Sequence, residues 1–285
     1  MKNHISLFIF AIALLSGPVS ANDLSMTAVK DTLASIPGEH NYIYVRTPLG
    51  EDEEKNYDEI TFYDGLGREL DFAQSYGADR AGAIMAHHHL IEYDSLGRKE
   101  KQWLSTNTSF SYMSPEDLKG GVLWDYHDAG KRSYLQTNYE SSPLNRITEQ
   151  YGVGDAWGDH PARMEYLTNI PADSLRCSFY FIDDNDSLIR RGDYRSGELQ
   201  VTKATDEDGK PTYTFVDKQG RTLLTRLGRG NQQADTYFVF DRFGRIRYVL
   251  PPMINDEISA GNLDLYAYQY LYDSFGRCIS KKLPG

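Results

Sequence analysis

A short turn signature recurs along this 285-residue chain and constrains its fold more than any other feature. The signature is an aromatic residue, Asp, two variable residues, Gly and Arg. Asp suits the first position of a type I turn, because its carboxylate can accept backbone N–H groups two residues further on. Gly suits the position that needs a positive φ, and the two together form a common β-hairpin loop. Each copy therefore predicts one hairpin, with Asp and Arg facing each other across the loop mouth as an exposed pair worth about 0–1 kcal/mol.

Complete and degenerate copies of the signature are both present. The complete copies are Tyr63–Arg68, Tyr93–Arg98, Phe240–Arg245 and Tyr272–Arg277; the degenerate ones are Val216–Arg221, Thr205–Lys210 and a weaker candidate over Tyr139–Arg146. We predict structural turn roles for Asp64, Gly67, Arg68, Asp94, Gly97, Arg98, Asp217, Gly220, Arg221, Asp241, Gly244, Arg245, Asp273, Gly276 and Arg277. Positive φ is expected at Gly67, Gly97, Gly244 and Gly276. Because the copies are irregularly spaced, they predict a loose array of hairpins rather than a strictly periodic solenoid or propeller.

The segments around the turns alternate between their two faces, as strands do. Aromatic residues make up 13% of the chain, and Tyr and Phe favour strands. The predicted strands are Asn41–Thr47, Glu59–Tyr63, Cys177–Ile182, Thr212–Val216, Thr236–Phe240, Ile246–Leu250 and Tyr266–Tyr272. Ser114 followed by Pro115 predicts the start of one short helix, and residues 253–262 suit another helical turn. The fold class that follows is all-β: an irregular array of β-hairpins with one or two short helices.

The N-terminus has the features of a secretory signal peptide over residues 1–21. A weakly basic start precedes the apolar run Ile5–Leu15, and Val19–Ala21 is a small-residue cleavage site. The run is too short to span about 30 Å of hydrocarbon. We therefore expect an exported mature chain without a transmembrane segment, at the cell envelope surface, in the periplasm or outside the cell. Residues 22–40 are predicted to be a leader, partly helical or disordered, and residues 41–285 a β domain with an insert-like middle at about 105–175.

The net charge limits which partners the chain can bind, and the cysteine content limits which disulfides it can form. The formal net charge is −11, whereas a nucleic-acid binder needs a basic face, so we expect no nucleic-acid partner. An exported chain places Cys177 and Cys278 in an oxidising compartment. The two can pair, but their separation in sequence gives no geometric argument for a disulfide, and the pairing stays open.

The turn signature resembles the YD repeat of bacterial RHS and teneurin-like proteins. Further strings are similar to one subgroup, the uncharacterised N-terminal domain that precedes the RHS repeats in exported Bacteroidetes proteins. These strings are Asn41–Tyr44, Phe62–Arg68, Lys101–Leu104, Ser142–Arg146, Glu165–Asn169, Val201–Lys203, Thr205–Gly209, Tyr248–Pro252, Arg277-Cys278 and Lys281–Gly285. The likeness runs from about residue 40 to the end of the sequence.

The resemblance implies a spiral of β-hairpins that winds into a hollow shell, which in several members encloses a C-terminal toxin. It also implies a partner, namely a downstream shell or toxin region on the same or another chain. The chain has no Asp-Pro dipeptide, so the family's autoproteolytic element is not carried over. The family's repeats usually continue past the point where this sequence stops, so a truncated or split member is one expectation.

Three polar clusters are candidates for metal binding. In a strand, His87 and His89 share a face and His88 points the other way, so the three do not converge on a metal. Asp183–Asp186 and Asp206–Gly209 resemble calcium loops but lack a Glu at the twelfth position, and hairpin turns explain both. We predict no metal site and no cofactor.

One aromatic row is a candidate ligand platform. Tyr266, Tyr268, Tyr270 and Tyr272 would share a strand face on which a glycan could stack, although such rows more often pack against neighbouring strands. No nucleophile elbow or carboxylate pair is singled out, so no catalytic residue is predicted. We expect a non-catalytic exported β-shell segment with a structural or encapsulating role at the cell surface, in bacterial competition. The alternatives are a stand-alone surface module that binds glycans or a partner cell, and a secreted hydrolase.

Overall fold

The computed structural model describes residues 29–31, 33–34, 36–38, 40–48, 56–78, 84–229, 232–254 and 258–285. The predicted signal peptide and much of the predicted leader lie outside these residues; residues 29–31 and 33–34 of the leader are helical. Antiparallel strands dominate the described chain, which confirms the predicted all-β fold. No helix among the described residues is long and apolar enough to cross a membrane.

The chain divides into two compact units. The N-terminal unit comprises Met1–Arg146 and Gln150–Asp159, and the C-terminal unit comprises Ile147–Glu149 and His160–Gly285. The division falls around β8 (Ile147–Tyr151), whose residues belong partly to each unit.

The N-terminal unit contains an antiparallel sheet in the order β1-β2-β3-β4-β5-β7, with β6 pairing β4. The strands are β1 (Asn41–Pro48), β2 (Asn56–Tyr63), β3 (Glu69–Ala78), β4 (Ile84–Tyr93), β5 (Lys99–Trp103), β6 (Thr106–Ser109) and β7 (Tyr134–Tyr139). Helix α1 (Pro115–Asp125) and short 3₁₀ turns at His127–Ala129 and Asp155–Trp157 complete the unit. Its core contains Ile60, Phe62, Ala73, Ala86 and Phe110.

The C-terminal unit contains an antiparallel sheet in the order β9-β12-β13-β14-β15-β16-β17-β18, and the separate hairpin β10-β11. The strands are β9 (Ala162–Thr168), β10 (Ser178–Ile182), β11 (Leu188–Asp193), β12 (Gln200–Thr205), β13 (Pro211–Val216), β14 (Thr222–Arg229), β15 (Gln232–Phe240), β16 (Ile246–Leu250), β17 (Tyr268–Tyr272) and β18 (Cys278–Lys282). Helix α2 (Ala260–Tyr266) and 3₁₀ turns at Asp173–Leu175 and Pro252–Ile254 lie in the connections. The hairpin packs on the sheet through Tyr180, whose ring makes a T-shaped contact with Tyr237 at 4.8 Å.

Six of the seven predicted strands are confirmed, and so is the predicted helix start. The Ser114 hydroxyl accepts the backbone N–H of Asp117 at 3.1 Å, as an N-cap does. The long middle, residues 105–175, contains α1 and the strands β6 to β9, and β7 pairs directly with β5.

The predicted strand Tyr266–Tyr272 is wrong at its start. Tyr266 is the last residue of α2, and the strand begins at Tyr268. The cause is a local helix signal that competes with the alternation: Ser259 caps the N-terminus by accepting the N–H of Asn262 at 3.2 Å.

The two cysteines are unpaired. Cys177 is buried in the core of the C-terminal unit, whereas Cys278 is exposed on β18. Burial raises the pKa of the Cys177 thiol to about 12. The disulfide that the sequence left open is therefore not formed in the structure.

Candidate functional site

The turn signature closes its hairpins by the predicted bonds. The Asp64 carboxylate accepts the N–H of Leu66 at 2.8 Å and that of Arg68 at 2.9 Å, and the N–H of Gly67 donates to the Asp64 carbonyl at 3.0 Å. Equivalent bonds form in the turns that begin at Asp94, Asp206, Asp217, Asp241 and Asp273. The expected positive φ is confirmed at Gly67 (78°), Gly97 (82°), Gly244 (78°) and Gly276 (81°).

The weakest copy of the signature closes a longer loop with different residues: the N–H of Asn145 donates to the Ser142 carbonyl at 3.4 Å, and the N–H of Glu140 donates to the Arg146 carbonyl at 2.9 Å. Glu140 replaces Asp and accepts two guanidinium bonds from Arg146, each 2.8 Å long. Asn145 replaces Gly and takes a φ of 54°, a conformation that Asn tolerates better than most residues. The Arg146 and Ser142 side-chain bonds lower the pKa of Glu140 to about 2.

In five of these turns, the Asp carboxylate also accepts a bond from the guanidinium of its own Arg. The Nε–Oδ2 distances are 2.7 or 2.8 Å in the turns of Asp64, Asp94, Asp217, Asp241 and Asp273. The pKa of Asp64 and that of Asp273 are lowered, first by the backbone N–H of the motif Arg. For the other three, burial alone would raise the pKa, but the backbone and guanidinium bonds outweigh it and the pKa is lowered. All five carboxylates are therefore held in their charged form.

The expectation that these ion pairs are exposed is wrong for most of them. The Arg side chains of four pairs are only 15–33% exposed, whereas Arg277 is 76% exposed. The four are covered because each Arg stacks on the aromatic residue that begins a later turn. The guanidinium carbon lies 4.5 Å from the ring centroid of Tyr93 for Arg68, 4.7 Å from Tyr139 for Arg98, 5.1 Å from Phe240 for Arg221 and 4.8 Å from Tyr272 for Arg245.

A second bond reinforces this stacking wherever the ring belongs to a tyrosine. The hydroxyl donates to the carbonyl of the residue that directly follows the stacked Arg. The bonds are Tyr93 to Glu69 at 2.7 Å, Tyr139 to Lys99 at 3.0 Å and Tyr272 to Ile246 at 2.9 Å. We call this set of stacked Arg–aromatic pairs and hydroxyl bonds the Arg–Tyr ladder. Its four steps join neighbouring hairpins within each unit, in addition to the main-chain bonds of the sheet.

Sequence reasoning missed the ladder, although its signal was in the signature. The motif begins with an aromatic residue and ends with Arg, and antiparallel registers set these two positions opposite each other in neighbouring hairpins. For example, the register that pairs Tyr248 with Gln269 also sets Arg245 opposite Tyr272. The repeated aromatic residue and Arg therefore contact each other between hairpins, whereas Asp and Gly form the turn within one hairpin.

The histidine run contributes one buried His–Asp contact to the N-terminal unit. His88 is fully buried, with Nδ1 2.6 Å from the Asp71 carboxylate and Nε2 3.0 Å from the Ser109 carbonyl. Both ring nitrogens of His88 therefore have a partner. His87 and His89 lie in the same strand, β4, and burial lowers the pKa of His89.

The acidic clusters also have structural partners. Asp183 accepts the N–H groups of Asn185 and Ser187 at 3.0 and 2.8 Å. Asp186 forms two bonds with Arg247, at 2.6 and 2.8 Å, which tie the β10–β11 turn to β16. Across the residues that the structure describes, no three His, Cys, Asp or Glu side chains are grouped to hold a metal.

The structure does not bring all four tyrosines of the predicted ligand platform together. Tyr266 lies on α2, Tyr272 is engaged in the ladder, and Tyr270 lies under the Lys281 ammonium at 5.6 Å from the ring centroid. Tyr268 remains 36% exposed on β17. The four tyrosines therefore do not form one strand face.

A separate aromatic cavity of about 260 Å³ lies in the C-terminal unit, between the β10–β11 hairpin and the sheet. Its lining includes Phe179, Phe181, Tyr194, Phe238 and Phe240. The Phe179 ring contacts Phe181 at 5.6 Å and Tyr194 at 4.8 Å. Sequence reasoning did not single out this cluster, because its members come from three distant segments.

Comparison with known proteins agrees with this architecture. Residues 41–168 match a family described as a domain of unknown function, DUF6443. No curated protein matches the chain. The crystal structure of TcdB2-TccC3-Cdc42 is similar at 14% identity, with a TM-score of 0.51 over 85% of this chain and 11% of that one. The crystal structure of TcdB2-TccC3 is similar at 13% identity, with a TM-score of 0.51 over 94% of this chain and 13% of that one.

This chain thus spans only 11–13% of the length of the two solved chains that it resembles. At these identities the likeness shows the fold and nothing finer. The fold of the two solved chains agrees with the open antiparallel array of β-hairpins described above.

Proposed function

We propose that the chain is a non-catalytic segment of an RHS-like β-hairpin shell, with a structural or encapsulating role. The observation that carries this proposal is the Arg–Tyr ladder. Its Asp, Arg and Tyr groups bond to one another and to the backbone, so they join neighbouring hairpins within each unit and are not free for acid–base or nucleophilic chemistry.

The finer parts of the proposal rest on the sequence. The signal-peptide features of residues 1–21 support export to the envelope surface, the periplasm or the medium. The strings quoted above support kinship with the N-terminal domain that precedes RHS repeats in exported Bacteroidetes proteins. The partner is then a downstream shell or toxin region, on the same or another chain, and the biological role is bacterial competition.

Purification of the protein from its native cells tests the proposal. Intact mass spectrometry would give the N-terminus and the full length of the polypeptide, and electron microscopy would show its assembly. We expect a chain that begins at Asn22 and lies in the wall of a larger β-shell. A lone chain that ends at Gly285 and is associated with no shell or toxin region would refute the encapsulating role.

One observation favours a second candidate, a surface module that binds glycans. The aromatic cavity of about 260 Å³ offers several ring faces at one site, and aromatic faces suit sugar stacking. Glycan-array binding that is lost in Phe181→Ala would support this cavity as the site. Binding lost instead in Tyr268→Ala or Tyr270→Ala would place the site on β17, and no binding to any glycan would refute the candidate.

A further inference from the structure

One step of the Arg–Tyr ladder differs from the others because its ring has no hydroxyl. In the other three steps, a tyrosine hydroxyl donates to the carbonyl of the residue that follows the stacked Arg. The step from Arg221 ends instead at Phe240, whose ring centroid lies 5.1 Å from the guanidinium carbon. The equivalent carbonyl belongs to Thr222, and no tyrosine hydroxyl of the described residues bonds to it. This carbonyl therefore lacks the hydroxyl bond that its counterparts accept.

The same step lies at the wall of the aromatic cavity. Arg221 and Leu223, which precede and follow Thr222, line the cavity together with Phe240. The cavity volume is about 260 Å³, whereas an apolar cavity of about 150 Å³ is enough to bind benzene. One aromatic ring with a small substituent therefore fits between the β10–β11 hairpin and the sheet.

The polar side chains of the lining leave a ligand few groups to bond. The bonded pairs are Arg221–Asp217 at 2.7 Å, Asp241–Arg245 at 2.8 Å, Ser178–Arg190 at 3.1 Å and Tyr237–Asp235 at 3.3 Å. Arg242 is exposed and lies over Phe243 of its own turn at 4.9 Å. Tyr194 differs from the bonded pairs, because no group in the part of the chain that the structure describes hydrogen-bonds to its hydroxyl. Burial raises the pKa of Tyr194, so this hydroxyl stays protonated at neutral pH.

We propose that the aromatic cavity binds a small free phenol, that is, one aromatic ring that carries a hydroxyl. The ring packs against the phenylalanine faces, and its hydroxyl donates to the Thr222 carbonyl as a tyrosine hydroxyl does in the other steps. The Tyr194 hydroxyl is the second hydrogen-bonding group at the site. This inference goes beyond the shell role and differs from the glycan candidate, because a sugar ring carries several hydroxyls for which this lining offers few free partners.

Titration of the full chain with p-cresol, followed by NMR spectra of the labelled protein, tests the site. We expect saturable binding with shifts confined to the cavity lining, and about tenfold weaker binding of toluene, which lacks the hydroxyl. Phe240→Tyr supplies the missing ladder hydroxyl from the protein itself. It should weaken p-cresol binding at least about tenfold and leave the urea midpoint unchanged or higher, so the loss cannot come from unfolding. Phe243→Tyr adds the same hydroxyl to a ring that is 67% exposed, and this matched control should bind p-cresol normally.

Other ligands separate the remaining outcomes. No saturable binding of p-cresol, or equal binding by Phe240→Tyr and the unsubstituted protein, would overturn the proposal. Tighter binding of N-acetyltyrosinamide than of p-cresol would overturn the assignment to a small free phenol in favour of a tyrosine side chain. Binding of methyl pyranosides in preference to p-cresol would overturn it in favour of the glycan candidate. The native-shell experiment uses none of these ligands, so its result is independent of this one.

Discussion

Replacement of Arg245 by Ala tests whether the ladder stabilises the array. Arg245 donates to the Asp241 carboxylate at 2.8 Å and stacks on Tyr272 at 4.8 Å, and Asp241 is only 7% exposed. A lost hydrogen bond to a charged group costs about 1.5–3 kcal/mol, and a lost cation–π contact costs about 0.5–1 kcal/mol. We therefore expect Arg245→Ala to lower the free energy of unfolding of the C-terminal unit by about 2–4 kcal/mol.

The chain contains its own control for this experiment. Arg277 has the same motif position and the same bond to its Asp, but it is 76% exposed and lacks an aromatic partner from another hairpin within the described chain. Arg277→Ala should therefore cost several-fold less than Arg245→Ala, because solvent screens an exposed pair. Arg245→Lys, which keeps the charge but loses the planar fork, should fall between Arg245→Ala and the unsubstituted protein.

The assay must report on the C-terminal unit alone. All three tryptophans, Trp103, Trp124 and Trp157, belong to the N-terminal unit, so their fluorescence follows the other half of the chain. Native-state hydrogen exchange of the β16 and β17 amides in increasing urea gives the required free energy. Equal losses for Arg245→Ala and Arg277→Ala would refute the claim that stacking between hairpins contributes to stability.

Four further outcomes follow from single sites. Gly244→Val should cost about 1–3 kcal/mol in urea denaturation, because the residue has a φ of 78°. His88→Ala should cost the N-terminal unit about 1–3 kcal/mol by tryptophan fluorescence, because it leaves the buried Asp71 carboxyl group without its imidazole partner. The turn carboxylates have lowered pKa values in the folded state. Their contribution to stability is therefore complete above the ordinary pKa of Asp and is lost as the pH falls through the lowered values. We expect the urea midpoint of unfolding to drop below about pH 4. A thiol reagent should label Cys278 in the native protein and Cys177 only after unfolding.

Each of these outcomes has a control or a contradicting result. Gly261→Ala in α2, where an added Cβ meets nothing within 4 Å, should not destabilise the C-terminal unit. His127→Ala, at a side chain 77% exposed, should leave the N-terminal unit within about 0.5 kcal/mol. A urea midpoint that is flat down to pH 2.5 would contradict the role of the turn carboxylates. Equal labelling of both thiols in the native protein would contradict the burial of Cys177.

Local chemistry explains which parts of the fold were predictable. The turns follow from Asp, Gly and their spacing, and strands such as β13 and β16 follow from alternation, because both signals act over a few residues. Tyr266 was misassigned because the alternation of tyrosines continues into a helix whose cap, Ser259, lies seven residues earlier. The stacking of Arg245 on Tyr272 joins positions 27 residues apart, so no local pattern contains it.

Buried polar groups and internal cavities were also difficult to predict from the sequence. The sequence predicted only that His88 points away from His87 and His89 in a strand, whereas its burial depends on Asp71 from the neighbouring strand. The aromatic cavity depends on how the β10–β11 hairpin packs on the sheet, which hydrophobic periodicity does not specify.

The ladder also bears on how such chains can change length over generations. Every step uses the same two side chains, an Arg at the end of one turn and an aromatic ring at the start of a later one. A duplication or deletion of one whole hairpin therefore creates a junction at which the new neighbours already fit. The step from Arg221 to Phe240 tolerates even the loss of the hydroxyl. The ladder contacts themselves therefore do not oppose the gain or loss of a whole hairpin.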